Sequence, residues 1–219
     1  MTPSSKPTVM ASTKNLTETT LDPAKEHAIQ ETVAAARRYL DTADGGLAYA
    51  RGPGISVIFM SCFKQDMTTA AVTKVRHVLR QTKAGIEQPH TIKLADSSYV
   101  HHKYGAFGGP TGSIHLAKYL FPDAGPAVKL DIRVWTYVHE ATHKFAQTVD
   151  VGGGGFKFFT DAPSERCYID RPKAILTGSI KYNGVGVGPE EALYNADSFA
   201  AFVVMFQLHQ KGMFIPMLP

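Results

Sequence analysis

Apolar residues recur every three or four positions along four stretches of the chain, a spacing typical of one face of an α-helix. Two of these stretches lie in the N-terminal half. One runs from Pro23 to the pair Gly45–Gly46, and the other follows Asp66, whose side chain can cap a helix, and continues to Leu79. We therefore predict two amphipathic helices whose apolar faces pack in the core.

Three shorter apolar segments are predicted as β-strands. The run Ile-Ser-Val-Ile-Phe-Met at residues 55–60 is rich in branched side chains and follows a Gly-Pro-Gly break. Residues 89–100 and 113–120 form two more such segments, on either side of a Gly-rich loop over residues 104–112. These strands are expected to build a small mixed or antiparallel sheet.

The other two helical stretches lie in the C-terminal half, over residues 130–147 and from Pro189 to about His209. A Gly-rich, irregular stretch separates them. The first carries a complete apolar stripe, so its polar face is free to line a cleft: Val134, Tyr137, Val138, Ala141 and Phe145.

This order of elements predicts an α+β fold in which the helix at residues 130–147 packs on the sheet and the last helix closes the far side of a cleft. We expect one domain over residues 21–219. Residues 1–20 are rich in Ser, Thr, Pro and Lys and lack an apolar period, so they are predicted to form a flexible tail.

Composition and charge exclude several classes of protein. The net charge is +4, but the 23 basic residues are scattered among 19 acidic ones, so we expect no nucleic-acid binding. No run is apolar enough for a signal-peptide core or a membrane span. We expect a soluble protein that stays in the cytoplasm of its cell or leaves by a specialised secretion system. Whether Cys62 and Cys167 pair is left open.

The sharpest motif is His139-Glu140-Ala141-Thr142-His143, which lies within the third helical stretch. Residues four apart on a helix project from one face, so the two imidazoles can bind one metal ion. Glu140 lies at the edge of that face, where its carboxylate can take a proton from a zinc-bound water without being a ligand. The motif predicts a hydrolytic Zn²⁺ site; the alternatives are a polar helix face with unrelated histidines, or a metal-containing binding module without catalysis.

A catalytic zinc ion usually has three protein ligands, so one further donor is needed. Four acids that follow the motif compete for this position: Asp150, Asp161, Glu165 and Glu191.

At this point the chain resembles the aspzincin metallopeptidases, the family of deuterolysin and the peptidyl-Lys metallopeptidases. The family places Gly-Thr-x-Asp soon after the motif helix, with the Asp as third zinc ligand. Here Thr148 and Asp150 match, whereas Gln147 stands at the Gly position. The resemblance therefore implies Asp150 as the third ligand.

The family also has a Tyr shortly after this Asp, which supports the substrate or the oxyanion. This chain has Val151 and four glycines there instead. Tyr168 takes that role if the loop carries an insertion, and in that register Glu165 is the chief rival to Asp150.

A second match is Asn195-Ala196-Asp197-Ser198-Phe199, which resembles the Asn-Ala-Asp-Ser-Tyr segment of the family. It implies that Asp197, like Thr148, lies near the zinc site as a partner of a ligand or as part of the substrate pocket. Lys-specific members carry another acid three residues further on, where this chain has Ala200. A strict preference for Lys is therefore not expected.

Taken as a whole, the resemblance implies a zincin-like endopeptidase that cleaves protein or peptide substrates. A family member without a signal peptide suggests an exported effector or toxin, with an inhibitor or immunity protein as a partner. That expectation rests on analogy with the family alone.

Overall fold

Six helices and a three-stranded sheet make up the described part of the computed structural model, which comprises residues 22–49, 53–95, 105–107, 112–121, 129–150 and 188–213. The helices are α1 (Pro23–Tyr49), α2 (Pro53–Phe63), α3 (Thr69–Glu87), α4 (Leu130–Ala146), α5 (Pro189–Ala192) and α6 (Ala196–Gln210). The strands are β1 (Ile92–Ala95), β2 (Gly105–Phe107) and β3 (Ile114–Ala117), and a 3-10 turn follows at Lys118–Leu120.

The first helix continues past the two glycines that were expected to end it and stops at Tyr49. Gly46 lies under the ring of Phe206 on α6, and a Cβ at this position would overlap that ring. The glycine therefore permits close packing of two helices and does not end the helix.

The prediction of a strand at residues 55–60 is wrong, because this run lies inside α2. A short apolar run fits a buried helix as well as a buried strand. Here Phe59 and Phe63, one turn apart, both pack against Phe202 of α6, with ring centroids 6.0 and 5.4 Å from it. Burial on several sides removes the polar face that would have marked the run as helical.

The second predicted helix exists as α3, but both of its ends differ from the prediction. Thr68, not Asp66, caps its first turn, since the Thr68 hydroxyl accepts the N–H of Ala71 at 3.2 Å. The helix continues beyond Leu79 to Glu87, because Thr82 and Ile86 add two further buried positions.

The sheet has the strand order β1-β3-β2 and is mixed, as predicted. Strand β1 runs parallel to β3, with Ile92 beside Ile114, and β2 runs antiparallel to β3, with Ala106 beside His115. The short strand β2 lies where a Gly-rich loop was predicted. Helix α4 packs on β2 and β3 with one side and on α1, α3 and α6 with the others, which confirms the α+β class.

Helix α4 is the centre of the molecule. Every residue from Ile132 to His143 is buried, so the helix has no free polar face of the kind predicted from its apolar stripe. Its polar side chains need partners within the protein. Arg133 donates to the Ala28 carbonyl at 2.6 Å and to the Thr32 hydroxyl at 2.9 Å, and it pairs with Glu31 at 2.8 Å.

The last predicted helix is interrupted. The short α5 ends at Ala192, and α6 starts after Asn195. At this break Asn195 forms a parallel β-bridge with Val149. No helix within the described residues is long and apolar enough to cross a membrane. The predicted N-terminal tail lies outside the described residues.

Candidate metal centre

Two histidines on the central helix face each other across one helical turn. The Nε2 atoms of His139 and His143 lie 3.1 Å apart, with the two rings nearly perpendicular. Both side chains are buried. The four-residue spacing on α4 thus brings two nitrogen donors to one point.

The chain returns to these histidines directly after the helix. Gln147 adopts the left-handed conformation (φ 56°, ψ 33°), and its N–H donates to the carbonyl of Thr142. The turn carries Asp150 back over the helix end, where Asp150 Oδ1 lies 3.3 Å from His139 Nε2 and 3.4 Å from His143 Nε2. Three donor atoms therefore form a nearly equilateral triangle.

The segment that carries Asp150 is also fixed to the start of α6. Val149 N–H donates to the Tyr194 carbonyl at 2.8 Å, and Ala196 N–H donates to the Val149 carbonyl at 3.0 Å. One residue further along α6, the buried carboxylate of Asp197 accepts the Nδ1–H of His139 at 2.8 Å. The bridge thus links the strand-like segment of Asp150 to α6, whose Asp197 contacts His139.

Each histidine has a defined proton. His139 donates its Nδ1–H to Asp197, and His143 donates its Nδ1–H to the carbonyl of Thr148 at 2.7 Å. A neutral imidazole with its proton on Nδ1 has its lone pair on Nε2, so in their neutral forms both histidines direct an Nε2 lone pair to the centre of the triangle. Two such nitrogens and a carboxylate that converge in this way favour a positive charge between them, carried either by a proton on Nε2 or by a metal cation.

The size of the triangle fits zinc. Ligands at the usual Zn–N and Zn–O bond lengths of about 2.0 to 2.1 Å are spaced by about 3.3 Å in a tetrahedron. The observed spacings are 3.1, 3.3 and 3.4 Å. The Asp150 side chain is 47% exposed whereas both imidazoles are buried, so the described part of the site reaches solvent at Asp150.

Glu140 lies beside the triangle. Its buried carboxylate has Oε1 3.8 Å from His139 Nε2, and its donor atom lies within 4.8 Å of those of His139 and His143. By this looser measure Glu140 is itself a candidate ligand. We favour Asp150 as the third ligand because its oxygen is near ligand spacing from both histidines, whereas Glu140 is further from His139.

The electrostatics of the site favour positive charge at its centre. Burial opposes protonation of His139, but the carboxylates of Asp197, Asp150 and Glu140 outweigh it and raise its pKa to about 10. Burial likewise acts to raise the pKa of Asp150, but hydrogen bonds from His139 and His143 outweigh it, and the pKa falls well below the ordinary range. The same carboxylates would stabilise the positive charge of a bound metal cation.

The pKa of Glu140 is raised. Burial is the main cause, and Asp150 and Asp197 add to it, while His139 and His143 act in the opposite direction. A carboxyl group with a raised pKa is a stronger base once it is ionised, which suits a group that must accept and then release a proton.

Of the remaining candidate residues, one lies at the site, one lies away from it and the others are outside the described residues. Thr148 is buried and contacts His143 through its backbone carbonyl. Glu191 is exposed at the start of α5, where its carboxylate accepts the N–H of Gly188 at 2.8 Å and caps that helix. Asp161, Glu165 and Tyr168 lie outside the described residues, as does Cys167.

Sequence reasoning overlooked one residue at this site. Thr142 is fully buried, and its hydroxyl donates to the His139 carbonyl at 2.7 Å and accepts a hydrogen bond from the Thr148 hydroxyl at 2.8 Å. The sequence gives no sign of this contact, because the spacing of the two threonines is meaningful only once the turn at Gln147 is known.

Comparison with known proteins identifies the architecture. No protein-family model matches the chain, and no curated protein matches it. Among solved structures, the chain is similar to a zinc peptidase from Grifola frondosa, with a TM-score of 0.54 and 14% sequence identity over 84% of this chain and 96% of that one. At this identity the similarity establishes the fold, and the chain accordingly has the fold of a zinc peptidase.

Proposed function

We propose that this protein is a zinc-dependent endopeptidase whose metal ion is held by His139, His143 and Asp150. The observation that supports this most strongly is the triangle of three donor atoms, spaced for tetrahedral zinc, next to a buried carboxylate that is not needed as a ligand. A purely structural zinc site is closed by four protein ligands and has no use for such a carboxylate.

In this proposal zinc supplies Lewis acidity, which lowers the pKa of a coordinated water to about 7 and polarises the scissile carbonyl. Glu140 accepts one proton from the attacking water as the oxygen bonds to the carbonyl carbon. When the C–N bond breaks, Glu140 passes this proton to the departing amine, so that an acid and an amine are released. The raised pKa of Glu140 supports its role in both transfers.

Asp197 acts through His139 in this mechanism. Its carboxylate accepts the Nδ1–H of that histidine at 2.8 Å, which fixes the tautomer and the ring orientation and makes Nε2 a better donor. We therefore assign Asp197 to ligand positioning, in preference to the substrate pocket.

The resemblance to aspzincins at Thr148, Asp150 and residues 195–199 favours that family within the zinc peptidases. It also favours proteins or peptides as substrates, without strict specificity for Lys because Ala200 lacks the second acid. Export as an effector or toxin, and an inhibitor or immunity partner, stay predictions from the resemblance.

The decisive test compares the wild type with Glu140→Gln on matched preparations. We expect about one zinc per chain in both proteins, measured by elemental analysis, and similar melting temperatures. Cleavage of an unfolded protein substrate should fall by a factor of roughly 10² to 10⁴ in the variant, because Gln cannot accept the proton.

Cleavage by Glu140→Gln at the wild-type rate would contradict the proposed role of Glu140. A wild type that binds zinc but cleaves nothing in a broad peptide library would instead favour a metal-containing binding module. In either case the measured zinc content tests the proposed ligands independently of catalysis.

A further inference from the structure

Two buried threonines connect the two ends of the ligand-bearing turn. We call Thr142 and Thr148 the threonine pair. The Thr148 hydroxyl donates to the Thr142 hydroxyl at 2.8 Å, and the Thr142 hydroxyl donates to the His139 carbonyl at 2.7 Å. Thr142 is fully buried and Thr148 is nearly so.

The backbone of the same two residues reinforces this link. The Thr142 carbonyl accepts the N–H groups of Gln147 and, at 3.3 Å, of Thr148. The Thr148 carbonyl in turn accepts the Nδ1–H of His143. Thr148 is thus attached to Thr142 by its hydroxyl and its N–H and to His143 by its carbonyl, two residues before Asp150.

The hydroxyl chain has a defined direction. A hydroxyl group has one proton, and because Thr142 donates to a carbonyl, which can only accept, the shared hydrogen bond must come from Thr148. The Thr148 hydroxyl therefore points its proton away from His143, whose Nδ1 is 3.5 Å from it. The Nδ1–H of His143 is left to the Thr148 carbonyl, and Nε2 faces the other ligands.

We propose that the threonine pair positions His143 and Asp150 for metal binding and so sets the affinity of the site for zinc. This inference rests on the proposed function, since it assumes that these two side chains are ligands. A threonine hydroxyl bonded to a carbonyl of its own helix turn is common in helices. The bond to Thr148 is different, because it joins the helix to the return segment where water cannot compete.

The test removes each hydroxyl group while nearly preserving the shape of the side chain. Thr142→Val and Thr148→Val remove each hydroxyl from a side chain of nearly equal size, while Thr142→Ser and Thr148→Ser keep it. Thr136→Val is the matched control, since Thr136 is also buried on α4 and bonds the Ile132 carbonyl at 3.1 Å, but it lies outside the turn. Zinc affinity is measured by competition with a chromogenic chelator, with circular dichroism as the check on folding.

We expect zinc affinity to fall by roughly 3- to 10-fold in each Val variant, less than the roughly 10- to 100-fold typical for loss of a ligand's own partner, because the Thr148 carbonyl that contacts His143 is retained. Both Ser variants should stay close to wild type, and so should Thr136→Val. The double Val variant should lose little more than either single one, because the two hydroxyls share one hydrogen bond.

Folded Val variants with wild-type zinc affinity would overturn the inference, as would an equal loss in Thr136→Val. If Thr142→Val does not fold, Thr148→Val tests the same hydrogen bond from outside the helix. A wild type that binds zinc without cleaving peptides contradicts the proposed catalysis but leaves the effect on affinity measurable. A wild type that binds no zinc overturns both.

Discussion

At the scale of single residues, the site depends on which nitrogen of each histidine carries the proton. His139 meets a carboxylate with Nδ1–H and His143 meets a backbone carbonyl. A carboxylate partner raises the basicity of a ligand more than a neutral carbonyl does. As the proposed zinc ligands the two imidazoles should therefore be unequal donors, with His139 the stronger one.

The third ligand can be tested by comparing two acids that competed for the role. Asp150→Ala should lose most of the bound zinc, because it removes an oxygen 3.3 and 3.4 Å from the two Nε2 atoms. Glu191→Ala should keep it, since that carboxylate is occupied in capping α5. Zinc per chain after dialysis is the measurement. Zinc retained in Asp150→Ala would move the ligand elsewhere, to Glu140 or to an acid of residues 151–187.

Sequence alone could identify part of this site. His139, Glu140 and His143 follow from helical spacing, and Asp150 and Asp197 were reached only through a family resemblance. The sequence could not show whether Asp197 would contact a ligand or the substrate, since that depends on how α6 packs on α4. Thr142 was missed because its partner Thr148 is brought to it by the turn at Gln147, which the sequence does not predict.

At the scale of elements, the turn after α4 is built on a residue poorly suited to it. Gln147 has a positive φ at the position where aspzincins have Gly. A side chain in the left-handed region costs about 1 kcal/mol, because its Cβ crowds the backbone. The chain keeps the turn despite this cost, since the N–H groups of Gln147 and Thr148 both reach the Thr142 carbonyl.

Gln147→Gly should therefore stabilise the protein. We expect the free energy of unfolding to rise by about 0.5 kcal/mol, since relief of about 1 kcal/mol of strain exceeds the cost of the extra freedom of Gly in the unfolded chain. Chemical denaturation measures the effect. Gln147→Ala, which keeps the Cβ, should give no such gain, and a gain of equal size in Ala would show that backbone strain is not the cause.

The secondary structure of an apolar segment was harder to predict when the protein buries the segment on most of its sides. Helix α4 was recognised because its stripe is long, even though the structure then buries its other faces too. Residues 55–60 were not recognised as helical. Helix α2 has only 11 residues with apolar groups on most sides, and such a short run fits the period of a helix or of a strand. Strand β2 has three residues, too few to show any alternation.

At the scale of the whole molecule, α1 and α3 are joined by ion pairs near the surface as well as by packing in the core. Asp44 on α1 pairs with Arg76 at 2.7 Å and Arg80 at 3.0 Å on α3. Burial alone would raise the pKa of Asp44, but the hydrogen bonds from the two arginines outweigh it and lower the pKa. The carboxylate is therefore favoured in the folded state.

This shift gives stability a defined dependence on pH. Because the folded-state pKa of Asp44 is lowered, its contribution is present above the unfolded pKa of about 3.9 and is lost as the pH falls through the folded value. Asp44→Asn should lower the free energy of unfolding at pH 7 by no more than about 1 kcal/mol, since the pair is partly exposed. Denaturation at pH 7 and at about pH 2.5 should show this difference shrinking; a constant difference would exclude the ionic contribution.

The bridge between Val149 and Asn195 has a consequence for how freely the sequence can change. It places Val149 beside Asn195, so the connection between these two residues begins and ends at neighbouring points. We therefore predict that this connection tolerates insertions and deletions better than the residues on either side of it. Replacing residues 151–187 with a short Gly/Ser linker should therefore leave zinc bound by His139, His143 and Asp150, whereas loss of zinc would locate a ligand in the removed stretch. Loop-closure cost changes by only about 0.6 kcal/mol per doubling of length, so variants with connections of different length should bind zinc alike.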